Sequence, residues 1–272
     1  MGLASVHYAS ASNFYQQTRY KDAYLPSSEA LRLRQSASGV NFGALIASLT
    51  QMSLIVRFLG DLIGAGGFID TATQVFDRSN KKTPLQMAGI QVALGTLRRE
   101  QQRFEEAEEV LRQALSTREQ QFGEDHLLIS SAAAELAHVL EERARYSEAE
   151  NLYRRSMNSR LRRYGEDHPL TARAYNSLGR LYMKQAALRE AQALFDKALP
   201  ISVKHLGAAT LTGIIKFNMG SLLLLKGNQK GAGRLLRAAL EIFIEQLGPD
   251  HRRTKEAHRL MTVAMTSQKD LR

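Results

Sequence analysis

The sequence predicts an all-α fold, an α-solenoid of about six helix pairs that ends in a C-terminal capping helix. Two observations predict this class. Small and large residues recur with a period of 41 or 42 residues, and such a period is typical of stacked helical repeats. Within each period the apolar residues have the spacing of amphipathic helices rather than the alternation of strands.

The period is set by alanines and glycines. Successive members lie 42, 42 and 41 residues apart in the glycine series. The alanines Ala107, Ala149, Ala191 and Ala232 have the same spacing. A small residue stands twelve positions before each alanine, a large one four after it and another small one seven after it. Small residues let two helices approach closely, and the large residue fills the space between repeats. The glycine series is Gly123, Gly165, Gly207 and Gly248.

The same offsets extend the repeat toward the N-terminus. They match Gly60, Ala72, Phe76 and Ser79 for a second repeat, and Ala11, Ala23 and Ala30 for a first. This register predicts one solenoid over residues 1–272, with repeats that start near residues 4, 53, 88, 130, 172 and 213 and a capping helix over 252–267. It therefore predicts gaps of about 49 and 35 residues on either side of the second start.

Glycines and prolines predict local features of the helices. The segment "GAGGF" is expected in the turn between the two helices of the second repeat. Pro26 and Pro200 each fall inside a second helix. Because proline lacks a backbone donor, we expect each to kink or end its helix.

A repeated Asp-His pair is the most chemical-looking feature, in "FGEDH", "YGEDHP" and "LGPDH". In the middle copy, Gly165 suits a left-handed helix end, Asp167 suits an N-cap and Pro169 suits a first helical turn. Copies one repeat apart would lie roughly 10 Å from one another, too far to share a metal that binds nitrogen at about 2.0–2.1 Å. We interpret the pair as helix punctuation.

Other signs of catalysis are missing from the sequence. There is no cysteine, which excludes thiolate metal sites and cysteine nucleophiles. The cluster Gly64, Gly66 and Gly67 lacks the Gly-Lys-Ser/Thr ending of a phosphate loop, and no Gly-x-Ser-x-Gly or His-Glu-x-x-His motif occurs. We expect a protein that is not an enzyme and has no cofactor or metal.

The charge favours anionic partners. The formal net charge is +10 and the pI is near 9.9, so the surface attracts acidic protein segments, nucleic acid or anionic lipid. The basic residues are dispersed among acids, which argues against nucleic acid as the main partner. Gln51, Arg57 and Asp61 interrupt the most apolar stretch, so we expect a buried helix there and no membrane span. The expected location is the cytoplasm, or an organelle or cilium if the chain is part of a larger complex.

The segments "TARAYNSLGRLYMKQAALREAQALFDKAL" and "LYRRSMNSRLRRYGEDHP" resemble the tetratricopeptide repeat, in the long form found in kinesin light chains. Repeats three to five resemble it best. The resemblance implies a right-handed solenoid in which the first helix of each pair lines a concave groove. Transferred by register, the groove would contain Arg57, Arg99, His138, Arg173, Asn176, Arg180, Lys184, Phe217 and Leu224.

These residues predict a non-catalytic scaffold for protein–protein interaction. An extended or helical segment, acidic or amphipathic and with one apolar anchor, would lie in the groove, because arginines bind carboxylates with charge-assisted hydrogen bonds. One alternative is a structural solenoid subunit of a large ciliary or organellar assembly. Another, less favoured, is an RNA-binding protein built from helical repeats.

Overall fold

A computed structural model describes residues 2–37, 39, 41–122 and 126–269 of the chain. These residues form thirteen α-helices and no strand, which confirms the predicted all-α solenoid class. The helices are α1 (Leu3–Gln16), α2 (Tyr20–Gln35), α3 (Phe42–Phe58), α4 (Leu62–Arg78), α5 (Pro84–Glu100), α6 (Phe104–Phe122), α7 (Leu127–Glu142), α8 (Tyr146–Tyr164), α9 (Pro169–Lys184), α10 (Leu188–Leu206), α11 (Thr210–Leu225), α12 (Gln229–Leu247) and α13 (Arg252–Lys269).

The chain divides into two compact units. Unit 1 comprises residues 1–16 and 20–159, which contain α1 to α7 and most of α8. Unit 2 comprises residues 17–19 and 160–272, which contain the end of α8 and α9 to α13. Consecutive helices pack together from α1 to α7 in unit 1 and from α9 to α13 in unit 2.

The close approach within pairs depends on glycine opposite a large side chain. A Cβ atom added to Gly95 would lie 2.5 Å from Cγ of Leu111. Added to Gly179, it would lie 2.8 Å from the ring of Phe195. The large residues are fully buried, so the pattern of small and large residues has the packing role expected from the sequence.

The predicted register of the second repeat is wrong by seven residues. The predicted start near residue 53 lies inside α3, and Gly60 lies in the turn after this helix with a φ of 97°. The buried set is Ser53, Ala65, Ile69 and Ala72, which has the offsets of the other repeats. With Ala65 in place of Ala72, the series runs through Ala23, Ala65 and Ala107 at intervals of 42, so the unequal gaps disappear.

The cause of this error is that each second helix has two small residues seven positions apart, and Ala72 is the later one. The correction also moves the glycine cluster. Gly64 and Gly67 lie inside α4 rather than in the preceding turn, where Asp61 is the N-cap and accepts a hydrogen bond from the backbone N–H of Gly64 at 2.7 Å. Neither Pro26 nor Pro200 ends its helix.

A repeated arginine connects each of three second helices to the helix that follows. Arg34, Arg118 and Arg160 are each the fifteenth residue of their helix. Their guanidinium groups donate to backbone carbonyl groups ten residues later, at 2.7, 2.7 and 3.3 Å. Burial lowers the pKa of Arg118 to about 10. The acceptors are Ala44, Leu128 and Leu170.

The apolar stretch around α3 is part of the core of unit 1. Leu49, Met52 and Ile55 are among its fully buried side chains. Among the helices that the structure describes, none has both the length and the apolar character needed to cross a bilayer.

Candidate functional site

The repeated histidine, rather than the aspartate, caps the helices. Nδ1 of His126, His168 and His251 accepts a hydrogen bond from the backbone N–H two residues later, at 3.2, 3.1 and 3.1 Å. The prediction that Asp167 is the N-cap is therefore wrong. Its carboxylate instead contacts Lys204 and His205, and the hydrogen bond from Lys204 is the main reason why the pKa of Asp167 is lowered.

Each cap is shaped by its neighbours. His168 stacks on Tyr164 with ring centroids 4.3 Å apart, and His126 stacks on Phe122 at 4.0 Å. Gly165 has a φ of 77°, the left-handed conformation expected at a helix end. Gly123 and Asp125 of the first copy lie outside the described residues. Within the part of the chain that the structure describes, no group of three His, Asp or Glu residues is arranged to hold a metal ion.

In unit 1, both arginines predicted for the groove form ion pairs with the same glutamate, Glu100. Nη1 of Arg57 and Nη2 of Arg99 both donate to Oε1 of Glu100, at 3.2 and 3.0 Å. The side chain of Arg57 is only 2% exposed and lies over the ring of Phe58 at 4.2 Å. The expectation that Arg57 presents its charge at the surface is therefore not met in this structure, since another helix already covers it.

His138 belongs to a buried hydrogen-bond network between α7 and α8. The hydroxyl of Tyr153 lies 2.5 Å from Nδ1 of His138 and donates to Oε2 of Glu141 at 2.9 Å. A hydroxyl has one proton, and the hydroxyl of Tyr153 donates it to Glu141. The hydrogen bond between the phenol oxygen and His138 is therefore assigned to an N–H donor at Nδ1 of His138. The network orients His138 within its helix pair.

In unit 2, α9 carries the basic residues predicted for the groove. Arg173 and Arg180 are half-buried and Lys184 is exposed. Asn176 is only 5% exposed, and its side-chain oxygen accepts from the amide of Asn218 on α11 at 2.9 Å. The asparagine therefore connects two first helices, a role that the sequence pattern of one repeat did not reveal.

The two apolar residues predicted for the groove lie on α11 and are half-buried. Phe217 and Leu224 pack against a small cluster that contains Leu236 and Ala264. This cluster brings residues of α11, α12 and α13 together, so the apolar part of the predicted surface is continuous with the packing of the capping helix.

A cavity that the sequence reasoning missed lies beside Phe217. Its volume is about 320 Å³, and it is lined by Phe217, Phe243, Arg252, Arg253 and Glu256. The adjacent arginines that follow "LGPDH" were the available signal. They were overlooked because α13 was assigned only a covering role.

The fold and these faces define a helical-repeat scaffold, and comparison with known proteins identifies the repeat. Residues 86–162 and 132–202, within repeats three to five, match the tetratricopeptide repeat family. The matched segment, residues 86–202, is therefore assigned to the tetratricopeptide repeat family, and its repeats have the long period of 42 residues. Tetratricopeptide repeats are protein-interaction scaffolds, and the comparisons indicate no enzymatic family.

Several solved structures share the fold. BtubC (BKLC) from P. vanneervenii is 22% identical, with a TM-score of 0.61 over 93% of this chain and 96% of its own. A Rap protein complexed with Competence and Sporulation Factor is 12% identical, with a TM-score of 0.75 over 98% of this chain and 72% of its own. Kinesin light chain-like repeats from Podosopora anserina are 18% identical, with a TM-score of 0.56 over 70% and 90%. No curated protein matches the sequence.

Proposed function

We propose that the chain is a non-catalytic scaffold whose α9 face binds an acidic segment of a partner protein, extended or helical. The observation that carries the proposal is the charge of the first helices of unit 2. One face of α9 carries three cations, because Arg180 and Lys184 follow Arg173 by seven and eleven residues, which is close to two and three helical turns. Neither α9 nor α11 contains an aspartate or a glutamate.

The residues of the predicted groove take two roles in this proposal. Partner contact is assigned to the three cations of α9 and to Phe217 and Leu224, which would receive an apolar anchor. The other four have a structural role. Arg57, His138 and Asn176 each bond to a neighbouring helix, and Arg99 supports the Arg57 ion pair by donating to the same carboxylate, that of Glu100. The Rap protein that is similar in fold was solved with a bound factor, which supports a ligand-binding role for such repeats.

Charge complementarity supplies the binding energy. A hydrogen bond between an arginine and a carboxylate contributes about 1.5–3 kcal/mol when it is sheltered. It contributes less than about 1 kcal/mol at an exposed position such as Lys184. The two half-buried arginines should therefore dominate the affinity.

Affinity capture tests this proposal. The tagged chain and its Arg173→Glu/Arg180→Glu variant serve as baits in a lysate of the source cells. A matched control bait carries Arg234→Glu/Arg237→Glu, which makes the same charge change at exposed positions of α12. We expect partners to be recovered with the wild type and the control but lost with the α9 variant. Equal recovery with all three baits would exclude the α9 face.

A second candidate is a structural subunit of a large assembly. It is favoured by apolar side chains on the surface of unit 1, since Leu25 is 73% exposed and Ile63 90% exposed, and exposed apolar groups often mark interfaces. Size-exclusion analysis of native extracts tests it. A stable complex that withstands high salt and is lost in Leu25→Ser/Ile63→Ser supports it, and a tagged chain that elutes at its own mass contradicts it. A cytoplasmic location would suit the first candidate, and an organelle or cilium the second.

A further inference from the structure

The start of α11 lacks the local cap of its neighbours α9 and α13. In those two helices, His168 and His251 accept a hydrogen bond from the backbone N–H two residues later. The glycine series continues at Gly207, but the residue three positions after it is Thr210 rather than histidine. The hydroxyl of Thr210 is buried and makes no hydrogen bond with the described residues. The N-cap residue, Ala209, has no side-chain acceptor to offer either.

Thr18 supplies the missing cap from a distant part of the sequence. Unit 2 includes residues 17–19, which lie between α1 and α2. The backbone N–H of Leu211, in the first turn of α11, donates to the hydroxyl of Thr18 at 3.0 Å, across 193 positions. Thr18 is 1% exposed and Leu211 is 3% exposed. The contact therefore satisfies a buried donor that the helix itself cannot satisfy.

The backbone of Thr18 is strained, and its counterparts in the other repeats are not strained to the same degree. Thr18 has a φ of 59°, which is a true outlier for a β-branched residue. The turn residues at the same place in the other repeats also have positive φ, but none is β-branched and all are exposed. Such strain persists only where surrounding contacts hold it. The counterparts are Gly60, Gln102, Ala144, Ala186 and Gly227.

The cover over the start of α11 is also particular to this repeat. Thr210 is 1% exposed, whereas the histidines at the same place in the other repeats are exposed or half-buried. Ala209 and Leu211, on either side of it, are both 3% exposed. A buried helix start therefore coincides with a buried turn and with the hydrogen bond that joins them.

We propose that residues 17–19 form a latch, a segment that docks on the start of α11 and can be released from it. In the docked state, which the structure shows, Thr18 caps α11 and Thr210 is covered. In the released state the latch takes the exposed position of its counterparts, and the first turn of α11 is uncovered. The hydroxyl of Thr18 decides between the two states, because without it the buried N–H of Leu211 has no acceptor.

The latch goes beyond the proposed binding of a partner and does not require it. It acts on the first turn of α11, and later turns of the same helix carry Phe217 and Leu224. Release therefore changes the helix that carries the apolar part of the proposed partner surface. Because the latch is tested without any partner, failure of the α9 proposal would leave it standing, and the reverse also holds.

Thiol labelling of the full chain tests the latch. The chain has no cysteine, so Thr210→Cys introduces a single thiol beneath the latch. Thr18→Val keeps the β-branch and removes the hydroxyl, whereas Thr18→Ser keeps the hydroxyl. We expect Thr18→Val to speed labelling of Thr210→Cys at least about fivefold, and Thr18→Ser to leave the rate within about twofold. An unchanged rate in Thr18→Val would overturn the proposal.

Two further variants separate latch release from other causes. Ser177→Cys places the thiol at a buried position of α9, and Thr18→Val should not change its labelling rate. A parallel rise there would indicate general unfolding and count against the latch. Ala209→Ser gives α11 a local acceptor, so adding it to Thr18→Val should restore slow hydrogen exchange at Leu211 but leave Thr210→Cys quickly labelled. Slow labelling in that variant would show that fraying of α11, not release of residues 17–19, had exposed the thiol.

Discussion

At the scale of single residues, the distance between paired helices is limited by side-chain volume. Gly95 and Gly89 lie on the same helix, α5, but in different surroundings. The nearest atom to an added Cβ at Gly95 is Cγ of buried Leu111, at 2.5 Å, whereas nothing lies within 4 Å of one at Gly89. The sequence pattern predicted the first position, because it recurs once per repeat opposite a large residue.

Alanine at these two positions should have opposite effects. We expect Gly95→Ala to lower the free energy of unfolding by about 1–3 kcal/mol through overpacking, despite the better helix propensity of alanine. Gly89→Ala should raise it by up to about 1 kcal/mol, because only the propensity changes. Urea denaturation of both variants measures the difference. Equal effects would show that α5 and α6 are not held at this close distance.

At the scale of helices and their connections, two kinds of side chain join consecutive helices: the histidine caps and the arginines at the fifteenth helical position. The sequence analysis found the first kind but not the second. The histidine caps were visible as a repeated motif, but aspartate and histidine can both accept a hydrogen bond, so the capping residue was misassigned. The arginines at the fifteenth helical position were not recognised, because their carbonyl acceptors belong to the next repeat.

The arginine that joins α6 to α7 should contribute measurably to stability. Arg118 is buried and donates to the carbonyl of Leu128 and to the hydroxyl of Ser131. We expect Arg118→Met to lower the free energy of unfolding by about 1–3 kcal/mol, because it leaves a carbonyl without its charged donor. The control is Arg154→Met on α8, where an exposed pair with Glu150 contributes less than about 1 kcal/mol. Similar losses in chemical denaturation would contradict this role.

The cap of α9 should make stability depend on pH. Burial lowers the pKa of His168 below 6.5, and the charge of His205 adds to this shift. As the pH falls below about 6.5 the unfolded chain binds the proton first, so this contribution to stability is complete above that pH and is lost toward the lower pKa of the folded state.

Substitution of the cap isolates this contribution. His168→Asn keeps a side-chain acceptor that does not titrate in this range, so the free energy of unfolding should depend less on pH between about 6.5 and 5. Denaturant titrations over this range compare the slopes, and an unchanged slope in His168→Asn would exclude His168 as the titrating group.

At the scale of the whole molecule, the period predicted the repeat class and most helix pairs, but not the contacts between repeats. Repeats three to five followed from constant spacing, whereas the second was misplaced because Ala65 and Ala72 are both small and buried. Among the predicted groove residues, the basic face of α9 is a property of one helix and could be predicted. The partners of Arg57 and Asn176 lie in adjacent repeats, so their burial became visible only in the fold.

The central claim is that the α9 face binds an acidic partner segment through its arginines. The most direct measurement is the dissociation constant of a captured segment at low and high salt, for the wild type, Arg173→Glu/Arg180→Glu and the control Arg234→Glu/Arg237→Glu. We expect the α9 variant to bind at least about tenfold more weakly, and the wild type and control to weaken together as salt screens the charges. Equal affinity in all three proteins, independent of salt, would contradict the claim.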